Sequence, residues 1–361
     1  MIEELRAEID AADAKLVALI AQRLRLAAEI GQAKKEAGQP VVDPAREVEV
    51  LARVSELARQ GGLDERTAET FFRQLIKLAR GTQSASVAFQ GEPGAYSQQA
   101  AHSFFSSGVC TLPRVSLAEV FAAVGSGEAD YGAVPIENSL EGSICQTYDL
   151  LLESDLAVAG EVEVRVTHCL IANPGTTLDS IRKVYSHPQA LGQCQSFLQH
   201  MGWEMVPTYD TAGSVKMIKE KELADGAAIA SAEAASIYGM HVLRPALEDN
   251  PHNFTRFFIL AREDAPPTGN DKTSLVFSVK HQPGTLYGFL GELAKNGLNL
   301  TKIESRPTRR TPWEYNFYLD FEGHRRDEKG QTVIEGLANH TTFLKVLGSY
   351  PRANGMDVPC I

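Results

Sequence analysis

The chain has 361 residues, 43% hydrophobic and 22% charged, enough apolar material for two or three ordinary globular domains. Its net charge of −11 opposes a nucleic-acid partner held by counterion release, though local positive charge can still bind small anions. No apolar run is long enough for a membrane helix, and the charged start MIEELRAEID is not a signal peptide. Five cysteines without a C-x-x-C pair, and nine histidines without ligand spacing, predict a cytoplasmic protein with reduced thiols and no metal.

Three segments follow one another, with expected bounds 1–84, 85–263 and 273–350. In the first, Leu5, Ile9, Ala12, Leu16, Leu19, Leu26, Ile30 and Ala33 recur at spacings of three and four, which predicts an amphipathic helix over about 3–37. Such a helix is about 50 Å long and cannot bury its stripe alone. Arg23 interrupts the apolar stripe, and Lys34, three turns on, points the same way. Taken alone, these could be a snorkelling arginine and a surface lysine. Asp43-Pro44 predicts the start of a second helix, with Asp at N-cap and Pro at N1. A third begins near Leu63-Asp64 and ends near Gln83. A bundle that gathers Arg23, Lys34, Arg46, Glu47 and Gln83 forms a cationic polar pocket.

The motifs LRxEID (5–10), D13xxLxxLIAxR23, AxEIGxAK34, P40VxDxxRE47 and TQ (82–83) resemble the all-helical chorismate mutases fused at the front of bifunctional chorismate mutase/prephenate dehydratases. The resemblance implies that Arg6, Arg23 and Arg46 bind the carboxylates of chorismate. It implies that Lys34 and Gln83 donate to the ether oxygen, and that Asp43 and Glu47 meet the ring-hydroxyl region. The reaction is pericyclic, so catalysis rests on holding the compact conformer and stabilising charge on the breaking ether bond. Arg6 and Arg23 lie about 26 Å apart along one helix and cannot hold the same small molecule. If both bind substrate, Arg6 serves the site of a partner chain in an intertwined dimer. Ala79 stands where the family often has a polar residue.

The second segment alternates short apolar runs with glycine-containing loops and helical stretches, an α/β pattern. Ser86–Phe89 reads as a strand entering QGEPGAYSQQAA (90–101), with Ser97 as the expected cap of the following helix. Residues 129–134 read as a strand entering the loop PIENSLEGS (135–143), Val184-Tyr185 enters SHPQALGQC (186–194), and 227–230 enters SAEAA. Ligands in such sheets sit at the carboxyl ends of strands. His187 reads as a helix-capping or loop histidine, and Cys194 as a small buried hydrophobe. Thr255 on its own suits an ordinary strand.

GAYSQQAA, PIENS, SHPQALxQC and TRF, in that order, closely resemble prephenate dehydratase. The resemblance implies a bilobal α/β fold like a periplasmic binding protein. It makes Thr255 the main catalytic residue, with Asn138, Ser139, Ser186 and Gln193 lining the pocket. Arg256 holds a carboxylate or the cleft, and Glu137 is a weaker candidate. Prephenate loses its ring hydroxyl as water and its ring carboxylate as carbon dioxide, which needs no cofactor. A threonine hydroxyl is a poor acid, so Thr255 is expected to act as a hydrogen-bond donor or proton relay.

A linker, EDAPPTGNDK (263–272), then precedes a strand–helix–strand–strand–helix–strand pattern. PGTL and ESRP (304–307) resemble an α+β ACT domain of the phenylalanine-sensing kind, with Thr285 where alanine is usual. The implied effector residues are Gly284, Thr285, Leu286, Asn299, Glu304, Ser305, Arg306 and Pro307. The expected partners are chorismate, prephenate, phenylalanine as feedback inhibitor, and a second copy of the chain. The competing readings are a non-catalytic bilobal ligand sensor and a dehydratase preferring arogenate.

Overall fold

A computed structural model describes residues 2–37, 42–82, 85–106, 108–280, 282–308 and 313–353. Three helices come first: α1 (Ile2–Glu36), α2 (Pro44–Gln60) and α3 (Glu65–Thr82). Asp43 caps α2, its carboxylate accepting from the Arg46 N–H, with Pro44 in the first turn. Residues 2–19 of α1 are all exposed, and its partly buried positions begin near Ile20. The half that reaches α3 packs there; the other half carries Leu5, Ile9, Leu16 and Leu19 into solvent.

The first α/β lobe contains β1 (Ser86–Gln90), α4 (Tyr96–Phe104), β2 (Cys110–Arg114), α5 (Leu117–Ser126), β3 (Tyr131–Asn138), β4 (Gly142–Ser143), α6 (Cys145–Glu153) and β5 (Ala157–Arg165). The second contains β6 (Cys169–Ala172), β7 (Lys183–Ser186), α7 (Pro188–Gln193), α8 (Gln195–Met201), β8 (Glu204–Pro207), α9 (Thr211–Glu220), β9 (Gly226–Ala230), α10 (Ala232–Tyr238) and β10 (His241–Arg244). The chain then returns to the first lobe as β11 (Phe254–Ala261), so the sheets run β2-β1-β3-β11-β5 and β10-β6-β9-β7-β8. Residues 166–168 and 245–253 are the two crossings between lobes.

Two local expectations are corrected. PIEN is not loop: β3 continues through Asn138, because β11 pairs with it to Thr255 and satisfies its backbone groups. Ser97 is not the cap of α4: Ala95 occupies that position without a side-chain bond, and Ser97 lies in the first turn.

The last unit has β12 (Asp271–Ser278), α11 (Thr285–Lys295), β13 (Leu300–Pro307), β14 (Tyr315–Glu322), α12 (Glu328–Ala338) and β15 (Phe343–Pro351), ordered β13-β14-β12-β15. One face of this sheet buries Leu275, Phe277, Leu319 and Phe321 against the two helices. The opposite face packs Val276, Tyr318, Leu347 and Tyr350 against Phe258, Val158 and Tyr148 of the first lobe in one continuous core. The segment 263–272 is therefore no free tether: Ala265 lies in that core, and Asp271 already opens β12.

The lobes meet closely where Gly94, at φ +93°, faces α10; a Cβ there would come within 2.6 Å of the Ala234 Cα. Gly94→Ala should lower the stability of the dehydratase unit by about 1–3 kcal/mol, read from urea unfolding. An unchanged midpoint would show that the lobes can part at this point without loss.

Candidate functional site

The cleft between the lobes has a volume of about 490 Å³. The first lobe supplies Tyr96, Arg114, Asn138 and Thr255, and the second supplies His187 and Asp210. Strand pairing explains which motif residues reach it. On β3 and β11, Thr255 lies opposite Asn138 and Arg256 opposite Glu137. Side chains alternate along a strand, so the first pair faces the cleft and the second faces away.

Asn138 Nδ2 donates to Thr255 Oγ1 at 3.0 Å, to Asn253 Oδ1 at 2.7 Å and to the Phe254 carbonyl at 3.2 Å. Gln193 lies at the end of α7, where its Oε1 accepts from Asn253 Nδ2 at 2.9 Å. The remaining expected residues occupy other places. Ser186 is fully buried and donates to the Ile229 carbonyl at 2.6 Å. Ser139 ties the strands together, donating to the His252 carbonyl at 3.0 Å and accepting from the Phe254 N–H at 2.9 Å.

Arg256 and Glu137 enter a charged cluster against the last unit. The guanidinium meets Asp320 at 2.9 Å, Glu137 at 3.2 Å and Glu161 at 3.4 Å. Burial opposes its charge, but Asp320 and Glu161 outweigh burial and raise its pKa above the ordinary arginine value. Lys302 bonds Glu137 at 2.8 Å, Lys272 bonds Glu161 at 2.8 Å, and Glu304 contacts Ser143.

Reading the sequence did not single out Asp210, Tyr96, Asn253 or His168. Asp210 caps α9, accepting from the Gly213 N–H at 2.7 Å, and burial pushes its carboxyl pKa up. An aspartate three residues before a helix-turn glycine is a readable cap signal. His187 caps α7, its Nδ1 3.3 Å from the Gln189 N–H, while also lining the cleft. Cys194 is fully buried, and burial raises its thiol pKa.

In the helical segment, Arg23 donates to the Leu75 carbonyl at 3.4 Å and lies 6.0 Å from the Phe72 ring; burial lowers its pKa. Lys34 is 3.5 Å from Asp43. Glu47 is held by Arg80 at 2.5 Å, and Arg80 also donates to the Phe104 carbonyl, joining the bundle to the first lobe. Arg46 pairs with Glu49, and Arg6 pairs with Glu3 on the exposed half of α1. Gln83 lies outside the described residues.

In the last unit, Gly284 caps α11 at φ +85° and Thr285 donates to the Lys280 carbonyl at 2.8 Å. Leu286 packs on the helix-side core, while Asn299, Ser305 and Pro307 are exposed. Glu304 and Arg306 turn the other way, Arg306 reaching Asp149 of α6 at 3.3 Å. No group of three or more His, Cys, Asp or Glu among the described residues is placed to hold a metal ion, and no described helix is long and apolar enough to cross a membrane.

The chain matches the families described as chorismate mutase type II over residues 5–84, prephenate dehydratase over 87–265 and ACT domain over 273–339. It is 38% identical to the bifunctional chorismate mutase/prephenate dehydratase of Aquifex aeolicus, covering 98% of each chain. It is 43% identical to arogenate dehydratase/prephenate dehydratase 2 of Arabidopsis thaliana, over 77% of this chain and 76% of that one. Among solved structures, the prephenate dehydratase of Arthrobacter aurescens in complex with L-Phe is 32% identical with a TM-score of 0.69, covering 74% of this chain and 90% of that one. With a helical mutase segment, a cleft built on PIEN and TRF, and an ACT sheet in one full-length match, the chain belongs to the bifunctional chorismate mutase/prephenate dehydratases of phenylalanine biosynthesis.

Proposed function

We propose that the two activities run at two separate sites, and that dehydration is carried by Thr255. The observation that carries this reading is the bond from Asn138 Nδ2 to Thr255 Oγ1. It occupies a lone pair of the hydroxyl and leaves its proton for the leaving ring hydroxyl of prephenate. Aromatisation drives loss of carbon dioxide, so the protein assists the hydroxyl and avoids over-stabilising the departing carboxylate. Gln193 supports this pocket through Asn253, whereas Ser139 and Ser186 act in this reading by fixing the cleft walls. For the mutase, Arg23, Lys34, Asp43 and Glu47 supply the polar set, with Gln83 and Arg46 completing it around chorismate. Lys34→Ala should lower mutase turnover about a hundredfold or more and leave dehydration intact, while Thr255→Ala should do the reverse, chiefly in kcat. Purified variants given chorismate or prephenate separately check this; parallel loss of both activities would sink the two-site reading.

A homodimer sharing the mutase site accounts for Arg6. Its helix half is exposed throughout among the described residues, with Leu5 55%, Ile9 60% and Leu19 62% exposed. Packed against a second copy, that stripe leaves water and carries Arg6 to the partner's site. Mixing Arg6→Ala chains with Arg23→Ala chains should therefore restore mutase activity, because one site of the mixed dimer carries neither lesion. Stably mixed dimers that stay inactive would exclude the sharing.

Phenylalanine inhibits, in this reading, by binding at the start of α11 and the exposed edge of β13, between two ACT units. Alternation along β13 supports a route to the cleft. Ser305 and Pro307 lie on the exposed side, whereas Glu304 and Arg306 reach Ser143 and Asp149 of the dehydratase. The effector can act only by favouring one arrangement of these contacts. Glu304→Gln should raise the half-inhibitory phenylalanine concentration about fivefold or more with little change in uninhibited turnover. Unchanged inhibition would remove this contact from the route. Assay of prephenate and arogenate side by side sets the substrate preference.

A further inference from the structure

Both crossings between the lobes place a buried polar residue beneath the cleft. His168, 2% exposed, lies on the first, and Asn253, fully buried, on the second. A continuous hydrogen-bonded series joins them. Thr255 Oγ1 meets Asn138 Nδ2, Asn138 meets Asn253 Oδ1, and Asn253 Nδ2 meets Gln193 Oε1. Gln193 Oε1 then lies 2.9 Å from His168 Nε2, and His168 Nδ1 lies 3.2 Å from the Tyr96 hydroxyl.

The sense of every bond follows from one end. The backbone N–H groups of Leu140 and Glu141 both reach the other side-chain atom of Asn138, each at 3.0 Å. An N–H only donates, so that atom is the oxygen and the nitrogen faces Thr255. Asn253 must then present its oxygen to Asn138 and its nitrogen to Gln193. Gln193 must present its oxygen, and that oxygen can accept from His168 only if Nε2 carries the proton. Nδ1 is left as an acceptor toward the Tyr96 hydroxyl at 3.2 Å, whose single proton is shared between it and the Thr167 carbonyl at 2.7 Å. The Tyr96 ring stands edge-on to the imidazole, 5.8 Å between centroids, and the Glu248 carboxylate accepts from the His168 backbone N–H at 2.9 Å. Burial holds the imidazole pKa below its ordinary value, which favours the neutral ring this series requires.

We propose that His168 is a positioning residue of the dehydratase. Its Nε2–H fixes the Gln193 amide, Gln193 fixes Asn253, and Asn253 with Asn138 holds Thr255 so that its proton faces the cleft. His168 touches no substrate and acts only through this series, so the proposal rests on Thr255 being the donor.

Two substitutions in the full chain separate this role from simple filling of space. A glutamine places its amide nitrogen near the position of Nε2 and keeps the donor; an asparagine reaches only the position of Nδ1 and loses it. His168→Asn should lower dehydratase kcat about tenfold or more with KM little changed, and His168→Gln should restore most of it. The urea-unfolding midpoint of the dehydratase unit in the same chains reports intact folding. In a Thr255→Ala background, His168→Asn should add no further loss. Equal loss in both histidine variants, or a further tenfold loss in that background, overturns the proposal. Normal turnover in Thr255→Ala overturns the threonine assignment and this proposal together. Normal turnover in His168→Asn beside an impaired Thr255→Ala overturns this proposal alone.

Discussion

Much of the molecule depends on the antiparallel pairing of β3 with β11. It joins segments more than a hundred residues apart and closes the first lobe only after the second has been inserted. The pairing sets Thr255 beside Asn138 and Arg256 beside Glu137. Alternation then assigns the first pair to the cleft and the second to the ACT unit. A slip of one residue would exchange these faces, burying the arginine in the substrate cleft and aiming the threonine at Asp320. The short motifs PIEN and TRF are thus each read on two faces, one chemical and one structural.

The face turned from the cleft is expensive to assemble. Arg256, Glu161 and Asp320 are nearly buried, and such groups are tolerated only when mutually paired and hydrogen-bonded. Ser274 meets that need by donating to Asp320 at 2.6 Å, and Lys272 by holding Glu161. Removing one member strands the others, so the cluster behaves as a unit. Its members come from the dehydratase and the ACT sheet alike, and it lies one residue along β11 from Thr255. A shift of the ACT sheet therefore changes electrostatics directly behind the proposed catalytic strand, without a long chain of intermediaries.

Elements with a strong period were legible in the sequence. The stripe of α1, the Asp43-Pro44 cap, the alternation of the ACT segment and the strands entering polar loops all announce themselves locally. Thr255, Asn138 and Gln193 were reached through family motifs, since a threonine in a strand carries no distinctive local signal. His168 and Asn253 stayed invisible for a physical reason. They lie on irregular crossings with no period, and their meaning comes from meeting Gln193, which only the tertiary fold brings about. The linker is a partial signal: its Pro and Gly content marks a boundary in the chain, but cannot report that Tyr350 and Phe258 pack across it.

The helical arm poses the opposite problem, an apolar surface the single chain cannot cover. Leu5, Ile9, Leu16, Leu19, Leu26 and Ile30 are each between 47% and 62% exposed on one stripe. Burying a large aliphatic side chain fully contributes about 1.5–3 kcal/mol, so half-burying six is of the same order as the stability of a small domain. Among the described residues this stripe stays largely in solvent, although α1 packs on α3. The same stripe, which the proposed dimer would cover, carries Arg6 along it, too far from Arg23 to share one small substrate in a single chain. In the proposed dimer, association and completion of the mutase site are one event, so dilution below its dissociation constant should silence the mutase before it silences a cleft built wholly from one chain.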